Sequence, residues 1–175
     1  MTTTRARALR PHPLKRRHRE SLLFESQLVA VVHIEASVTV KAPREKVFAA
    51  YTDFESMKKW SKTSASVLVT DREGDMVYLE AGASSGRRSR MGSLALRLTQ
   101  PRMVESESET MFTRTKRRVA FEEVPEGTRV TATLDVEVKG LWSKIMATRE
   151  REEFEPEILQ ELESFAQYVE GLPRE

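Results

Sequence analysis

The sequence predicts an α+β domain in which a seven-stranded antiparallel sheet is followed by a long C-terminal helix, with two short helices after the first strand. Three observations support this prediction. From His33 onward apolar and polar residues alternate strictly, as in a strand with one buried face. Short apolar runs separated by Gly, Pro and Ser turns then fill most of the chain. After Gly140 the apolar residues recur at helical spacing as far as Val169.

The first strand ends at Ala42-Pro43, because proline cannot continue a strand ladder and restricts the residue before it. Pro43 is also suited to the start of a helix. The apolar residues of that helix recur at helical spacing: Val47, Phe48 and Tyr51. Asp53 is then predicted to cap a second short helix that runs through Lys59 and Trp60.

Six further strands are predicted from runs bounded by turn signals. They cover 66–71, 75–81, 88–99, 103–109, 119–124 and 129–138. Pro125-Glu126-Gly127 is a strong hairpin signal between the last two. The long helix is predicted over 141–169, and Pro156 is expected to kink it or divide it in two. Because the first half of this helix is mostly charged, we expect that half to border a cavity or solvent.

Charge is divided unevenly along the 175-residue chain. Residues 1–32 hold seven Lys or Arg and two acids, whereas the remaining 143 residues hold 22 basic and 25 acidic side chains. We therefore expect a basic, disordered extension over 1–32 and one domain over 33–172. The extension also has the composition of a targeting segment, a nucleic-acid arm or a sequence upstream of the true start. Since the body is slightly acidic, nucleic acid is expected to bind through the extension or not at all.

Several chemistries lack the residues that they need. The chain has no Cys, which excludes disulfides, thiolate metal sites and a Cys nucleophile. All three His lie within the first 33 residues, so neither a histidine metal cluster nor His-based catalysis is expected in the body. No metal and no cofactor are predicted. The apolar run at 28–32 is too short for a membrane span or a secretory signal, and we expect a cytoplasmic protein without a transmembrane segment.

The order of elements resembles that of the START-like (SRPBCC) superfamily of polyketide cyclases, dehydrases and lipid-transport proteins. Two segments are similar to that family: residues 33–60, HIEASVTVKAPREKVFAAYTDFESMKKW, and residues 121–130, FEEVPEGTRV. The resemblance covers about 33–170. It implies a helix-grip fold of the Bet v 1 type, with a curved sheet wrapped around the C-terminal helix and a cavity between them.

The resemblance implies that this cavity holds a hydrophobic or amphipathic small molecule, such as a lipid, an isoprenoid or a polyketide-like compound. Because the fold hosts several functions, three remain open: a non-catalytic binder or carrier, a cyclase or dehydratase, and a co-chaperone-like interaction module. The lack of Cys and of body His favours the binder. The interaction module would use the extension or the basic segment 87–118 as its contact surface. The oligomeric state is not predicted.

Nine residues are predicted to bind the ligand. Arg117 and Arg90 lie on strand positions that extend the buried faces of their strands, where an arginine would pair with a ligand carboxylate or phosphate, or with a buried Glu. The alternative is that both arginines extend to water. Family resemblance or the buried strand faces supply the other seven: Trp60, Tyr78, Leu96, Phe121, Leu134, Trp142 and Met146.

Glu105, Glu107 and Glu109 lie on one face of a strand. Clustered carboxylates can carry out acid–base catalysis when burial raises a pKa, which is the role that the enzyme alternative gives to Glu107. The neighbouring Arg and Lys residues favour a surface with cross-strand ion pairs instead.

Overall fold

The computed structural model describes residues 29–61, 64–85, 88–140 and 143–173. The two short helices are α1 (Arg44–Thr52) and a 3₁₀ helix (Phe54–Lys59), and the long helix is α2 (Ser143–Glu170). The seven strands are β1 (Val29–Val40), β2 (Ser64–Glu73), β3 (Met76–Ser85), β4 (Arg88–Thr99), β5 (Met103–Glu109), β6 (Thr113–Val124) and β7 (Gly127–Lys139). This order confirms the predicted α+β architecture.

The strands form one antiparallel sheet in the order β1-β7-β6-β5-β4-β3-β2. The long helix α2 packs mainly on β1 and β7, while the 3₁₀ helix packs on β2 at the opposite edge. Four α2 residues at helical spacing are buried against the sheet: Ile158, Leu162, Phe165 and Val169. The predicted helix-grip arrangement is therefore present, and the inner face of β3 to β6 is left between the two packed edges.

Two strands begin four or more residues earlier than the sequence indicates. β1 begins at Val29 rather than His33, and β6 begins at Thr113 rather than Val119. The first part of β6, residues 113–118, contains no apolar residue, so its alternation is invisible to a hydrophobicity pattern. It is a strand because its backbone pairs with β5 on one side and β7 on the other.

The β6–β7 hairpin is confirmed, with Val124 paired to Gly127. Gly127 has a φ of +140°, and a Cβ there would lie 2.2 Å from the carbonyl oxygen of Val40. Next to it, the Thr128 hydroxyl donates a 2.7 Å hydrogen bond to the carbonyl of Ala42. The turn thus packs directly against the end of β1, which only glycine allows.

Two details of the helices differ from prediction. Asp53 makes no side-chain cap: its ψ of 76° is not that of a typical N-cap, and its backbone carbonyl instead accepts a 3.0 Å hydrogen bond from Ser56 N. Pro156 lies inside α2, which continues unbroken, so the predicted division of this helix is wrong. Pro156 and Glu152, whose carbonyl loses its helical partner, are both exposed, and water can satisfy that carbonyl.

Candidate functional site

An apolar cavity of about 150 Å³ lies where the inner face of β2 to β6 meets the helices. It is partly open to solvent. Nine lining residues are apolar: Phe54, Met57, Val67, Leu79, Ala81, Leu94, Leu96, Val104 and Val119. Four carry a polar group: Tyr51, Ser106, Arg117 and Glu161. An apolar pocket with a few converging polar groups is the usual form of a small-molecule site.

The strand register places the two polar lining residues of the sheet, Ser106 and Arg117, in one row. Leu96 of β4 pairs with Ser106 of β5, which pairs with Arg117 of β6, which pairs with Leu134 of β7. Directly paired residues in a sheet point to the same face. Arg117 therefore points inward with buried Leu96 and Leu134, and of the two alternatives that the sequence left open it takes the cavity side.

Arg117 is joined to the long helix by an ion pair across the cavity. Its Nη2 donates a 2.8 Å hydrogen bond to Oε1 of Glu161 in α2. The side chains are 35% and 18% exposed, so both charges are largely removed from water. The sequence alone allowed either a ligand anion or a buried Glu as the partner of this arginine. In the structure the partner is Glu161.

Tyr51 is the third polar group at this end of the cavity. It is almost fully buried, and burial raises the pKa of its phenol above 10.0, with Glu161 acting in the same direction and Arg117 opposing them. The phenol is therefore protonated at neutral pH and available as a hydrogen-bond donor. In turn, the Tyr51 oxygen, followed by Glu161, raises the pKa of Arg117 against the opposing effect of burial.

One donor in this cluster has no acceptor. Nε of Arg117 is buried and makes no hydrogen bond within the described part of the chain. A buried N–H left in this state costs about 1–3 kcal/mol. A ligand oxygen beside Arg117 is one way to satisfy it.

An aromatic cluster holds Tyr51 in place. Its ring packs edge-on against Phe165 at 5.2 Å and against Phe121 at 5.4 Å, and lies 5.5 Å from Trp60. Trp60 also packs on Phe165, with ring centroids 4.9 Å apart. Such rings are rigid once packed, so the phenol is held in a fixed position at the cavity wall.

The outer face of the sheet is charged and its ions are paired between neighbouring strands. Glu105 accepts a 3.0 Å hydrogen bond from Arg118, and Glu107 pairs with Arg114. Glu109 pairs with Lys139 at 2.7 Å, and that hydrogen bond lowers the pKa of Glu109 below 4.5. The surface interpretation of the three glutamates is thus confirmed, and the role that the enzyme alternative gives to Glu107 is wrong because Glu107 faces away from the cavity.

The chain matches the family model "Polyketide cyclase / dehydrase and lipid transport" over residues 31–170. It belongs to this family. The predicted START-like membership is therefore confirmed. A search of curated proteins finds no match.

Solved structures of similar fold include members with different described roles. A protein from Thermus thermophilus is 21% identical, with a TM-score of 0.67 over 78% of this chain and 96% of its own. The Zhui aromatase/cyclase from Streptomyces sp. R1128 is 13% identical, with a TM-score of 0.66 over 81% and 94%. A STAR-related lipid transfer protein from Xanthomonas axonopodis is 13% identical, with a TM-score of 0.62 over 82% and 94%. At such identities the likeness shows the fold alone.

The structure of this family member brings only some of the nine predicted residues to the cavity. Leu96 and Arg117 line it. Trp60, Phe121 and Leu134 are buried but belong to the surrounding core. A further residue, Tyr78, lies on the outer face: its neighbours in β3, Val77 and Leu79, are the buried ones, and its partner Ala95 lines an outer groove.

The other three predicted residues fall wholly or partly outside the described residues. The backbone of Arg90 pairs with Ala83 in the sheet, and that of Met146 lies in α2, but their side chains are not described. Trp142 lies outside the described residues altogether.

Sequence reasoning missed Tyr51, Ser106 and Glu161 as cavity residues. The position of Glu161 could have been recognised from the sequence. It lies three residues after Ile158 and four before Phe165, on the buried face of the helix, where an apolar residue is expected. A carboxylate at such a position needs a partner. Ser106 had no such signal, because the facing of β5 follows only from its register.

Neither a metal centre nor a membrane span is found in the described residues. They contain no cluster of three or more His, Cys, Asp or Glu residues able to hold a metal ion. Among the helices of the described ranges, none has the length and hydrophobicity of a membrane-spanning segment.

Proposed function

We propose that this protein binds a hydrophobic or amphipathic small molecule, without chemical change, in the cavity between the sheet and α2. The observation that carries the proposal is a cavity with nine apolar lining residues and its polar groups gathered at Arg117 and Glu161. Membership of a cyclase and lipid-transport family supports it.

The cavity volume limits what is enclosed. At about 150 Å³ it is smaller than the roughly 300–1,000 Å³ of pockets that enclose drug-sized ligands. An apolar cavity of about this size accommodates a benzene-sized molecule. We therefore infer that a ring or a short apolar segment of the ligand is buried, while a longer ligand extends through the open side.

A pair of alanine variants tests the binding site. Ala81 lines the cavity and pairs with Gly92, so Ala81→Phe would fill the space with a ring. Ala95→Phe places the same ring on the outer face, where Ala95 lines a groove away from the cavity. With 2-acetylnaphthalene as probe, calorimetry should show saturable one-to-one binding to the wild type and to Ala95→Phe, and at least tenfold weaker binding to Ala81→Phe. Equal binding to both variants would place the site elsewhere.

The cyclase or dehydratase alternative is favoured by one observation. A buried protonated phenol, Tyr51, and a carboxylate, Glu161, face the same cavity, and these are two of the groups that general acid–base catalysis uses. Incubation with a short aromatic β-polyketone, followed by mass spectrometry, tests it. Loss of water with wild-type protein but not with Tyr51→Phe would make the protein an enzyme, and an unchanged substrate in both would support the binder.

A further inference from the structure

We infer that the cavity selects ligands whose buried end is uncharged and carries a hydrogen-bond acceptor, such as a ketone, and that Glu161 sets this selectivity by neutralising Arg117. The inference rests on the proposed function, because it concerns the ligand of the same cavity. It identifies Glu161 as a specificity-determining residue.

The polar end of the cavity carries two opposite charges. Arg117 supplies a positive charge and Glu161, 2.8 Å away, supplies a negative one, so the pair has no net charge. The other polar groups that line the cavity, Tyr51 and Ser106, are neutral at pH 7. A ligand carboxylate entering here would lose its hydration and also lie beside the Glu161 carboxylate, and both effects oppose binding.

The polar end of the cavity also has a hydrogen-bond donor without an acceptor. Nε of Arg117 is a buried donor without an acceptor in the described residues, and the Tyr51 phenol is a second donor at the same wall. A carbonyl oxygen accepts two hydrogen bonds and carries no charge to desolvate. It therefore suits this site better than either a hydrocarbon end, which accepts none, or an anion.

Glu161 keeps an anionic ligand from pairing with Arg117. Without its carboxylate, Arg117 would be a largely buried guanidinium with no counterion, and it would attract an anionic ligand to take the place of Glu161. The wild-type residue excludes that class of ligand. Selectivity against anions thus depends on Glu161 of α2, whereas the sheet supplies most of the apolar surface.

Two probes of nearly equal shape test the inference. 2-Acetylnaphthalene is a neutral ketone, and 2-naphthoate is a carboxylate that is ionised at neutral pH. Calorimetric titration of the full chain should show the ketone binding at least tenfold more tightly than naphthoate, because the carboxylate loses its hydration and the neutral Arg117–Glu161 pair offers it no net charge in return. In Glu161→Gln, naphthoate should gain about tenfold or more, while the ketone changes less than about threefold.

Two further variants make the result specific. Glu163 is exposed on the same helix, so Glu163→Gln makes the same change in total charge and should leave both affinities unchanged. If Glu161→Gln unfolds, the double variant Arg117→Gln with Glu161→Gln removes both charges and leaves none unpaired. It should fold, bind the ketone more weakly because the Arg117 donor is gone, and still disfavour naphthoate because it has no cation to attract it.

The outcomes separate this inference from the proposed function. Equal binding of both probes to the wild type would overturn the selectivity and leave the binding function standing. Unchanged selectivity in Glu161→Gln would overturn the role of Glu161. Binding of neither probe to the wild type would overturn the proposed function and this inference with it.

Discussion

Arg117 and Arg118 are neighbours in β6, and each pairs with a glutamate, but they belong to opposite faces of the sheet. Arg117 points inward and reaches Glu161 on α2, with the two side chains 35% and 18% exposed. Arg118 points outward and reaches Glu105 on the adjacent strand, with 58% and 32% exposed. The inner pair joins the sheet to the helix and borders the cavity, whereas the outer pair joins two strands that their backbones already pair.

The role of a charged residue in this sheet therefore depends on its face and not on its type. Water screens the outer pair, so it contributes little to stability. The inner pair is held in a less polar environment, where loss of one partner leaves a poorly solvated charge. Substitutions on the two faces of the sheet and on the helix test that difference.

The largest effect is expected from the buried face of α2. Phe165 is fully buried and packs against Tyr51 and Trp60, so Phe165→Ala should lower the free energy of unfolding by about 3–5 kcal/mol. Leu159→Ala, at a position 43% exposed on the same helix, should lower it by less than about 1 kcal/mol. Urea denaturation followed by circular dichroism measures both. Equal losses would mean that α2 does not pack on the sheet through this face.

Double-mutant cycles on the two ion pairs test the comparison itself. Alanine substitutions at Arg117 and Glu161 should give a coupling energy of about 1–2 kcal/mol, because both charges are largely buried. The same cycle at Arg118 and Glu105 should give below about 0.5 kcal/mol, as for other exposed pairs. A coupling at the outer pair that equals or exceeds that at the inner pair would contradict the argument from burial.

The buried phenol of Tyr51 predicts a smaller, pH-dependent effect. Its pKa is raised above 10.0 by burial, so the folded state binds its proton more tightly than the unfolded state does. This contribution is fully present below pH 10.0 and is lost as the pH rises through the raised value. Thermal melts at increasing pH should show a steeper loss of stability in the wild type than in Tyr51→Phe, with Tyr78→Phe on the outer face as the matched control. Parallel curves for the wild type and Tyr51→Phe would show that the phenol is not buried.

The smallest effect concerns the outer face. The hydrogen bond from Lys139 lowers the pKa of the Glu109 carboxyl below 4.5, and Lys139→Gln should move it back upward. Carboxyl carbon shifts in an NMR titration measure this change. A Glu109 value that Lys139→Gln leaves unaltered would show that the pair does not persist in solution.

The sequence predicted the fold well because the fold depends on patterns that the sequence displays. Alternation from His33, the Pro125-Glu126-Gly127 turn and the apolar stripe to Val169 all correspond to real elements. The errors occur where the hydrophobic pattern of the sequence carries no information about the structure. Residues 113–118 form a strand without any apolar residue, and Pro156 stays within a helix because its surroundings are exposed.

Fewer residues of the candidate site could be predicted from sequence patterns. Arg117 was found because it extends a buried strand face, but its partner lies 44 residues away on α2. Tyr78 was predicted from the family resemblance and lies on the outer face, because successive residues of β3 point to opposite sides of the sheet and Val77 and Leu79 take the buried one. Periodicity locates the faces of elements, whereas the meeting of Tyr51, Arg117 and Glu161 depends on how a helix lies across a sheet.

A methyl NMR titration of the labelled protein with 2-acetylnaphthalene shows directly whether the ligand binds in the cavity. Leu79 lines the cavity, whereas Leu68 is 60% exposed and is not among the residues that line it. If the ligand binds in the cavity, the methyl groups of Leu79, Leu96 and Val104 should show saturable shifts, with those of Leu68 unmoved. Shifts at Leu68 with the cavity methyl groups unmoved, or no shifts at all, would contradict it.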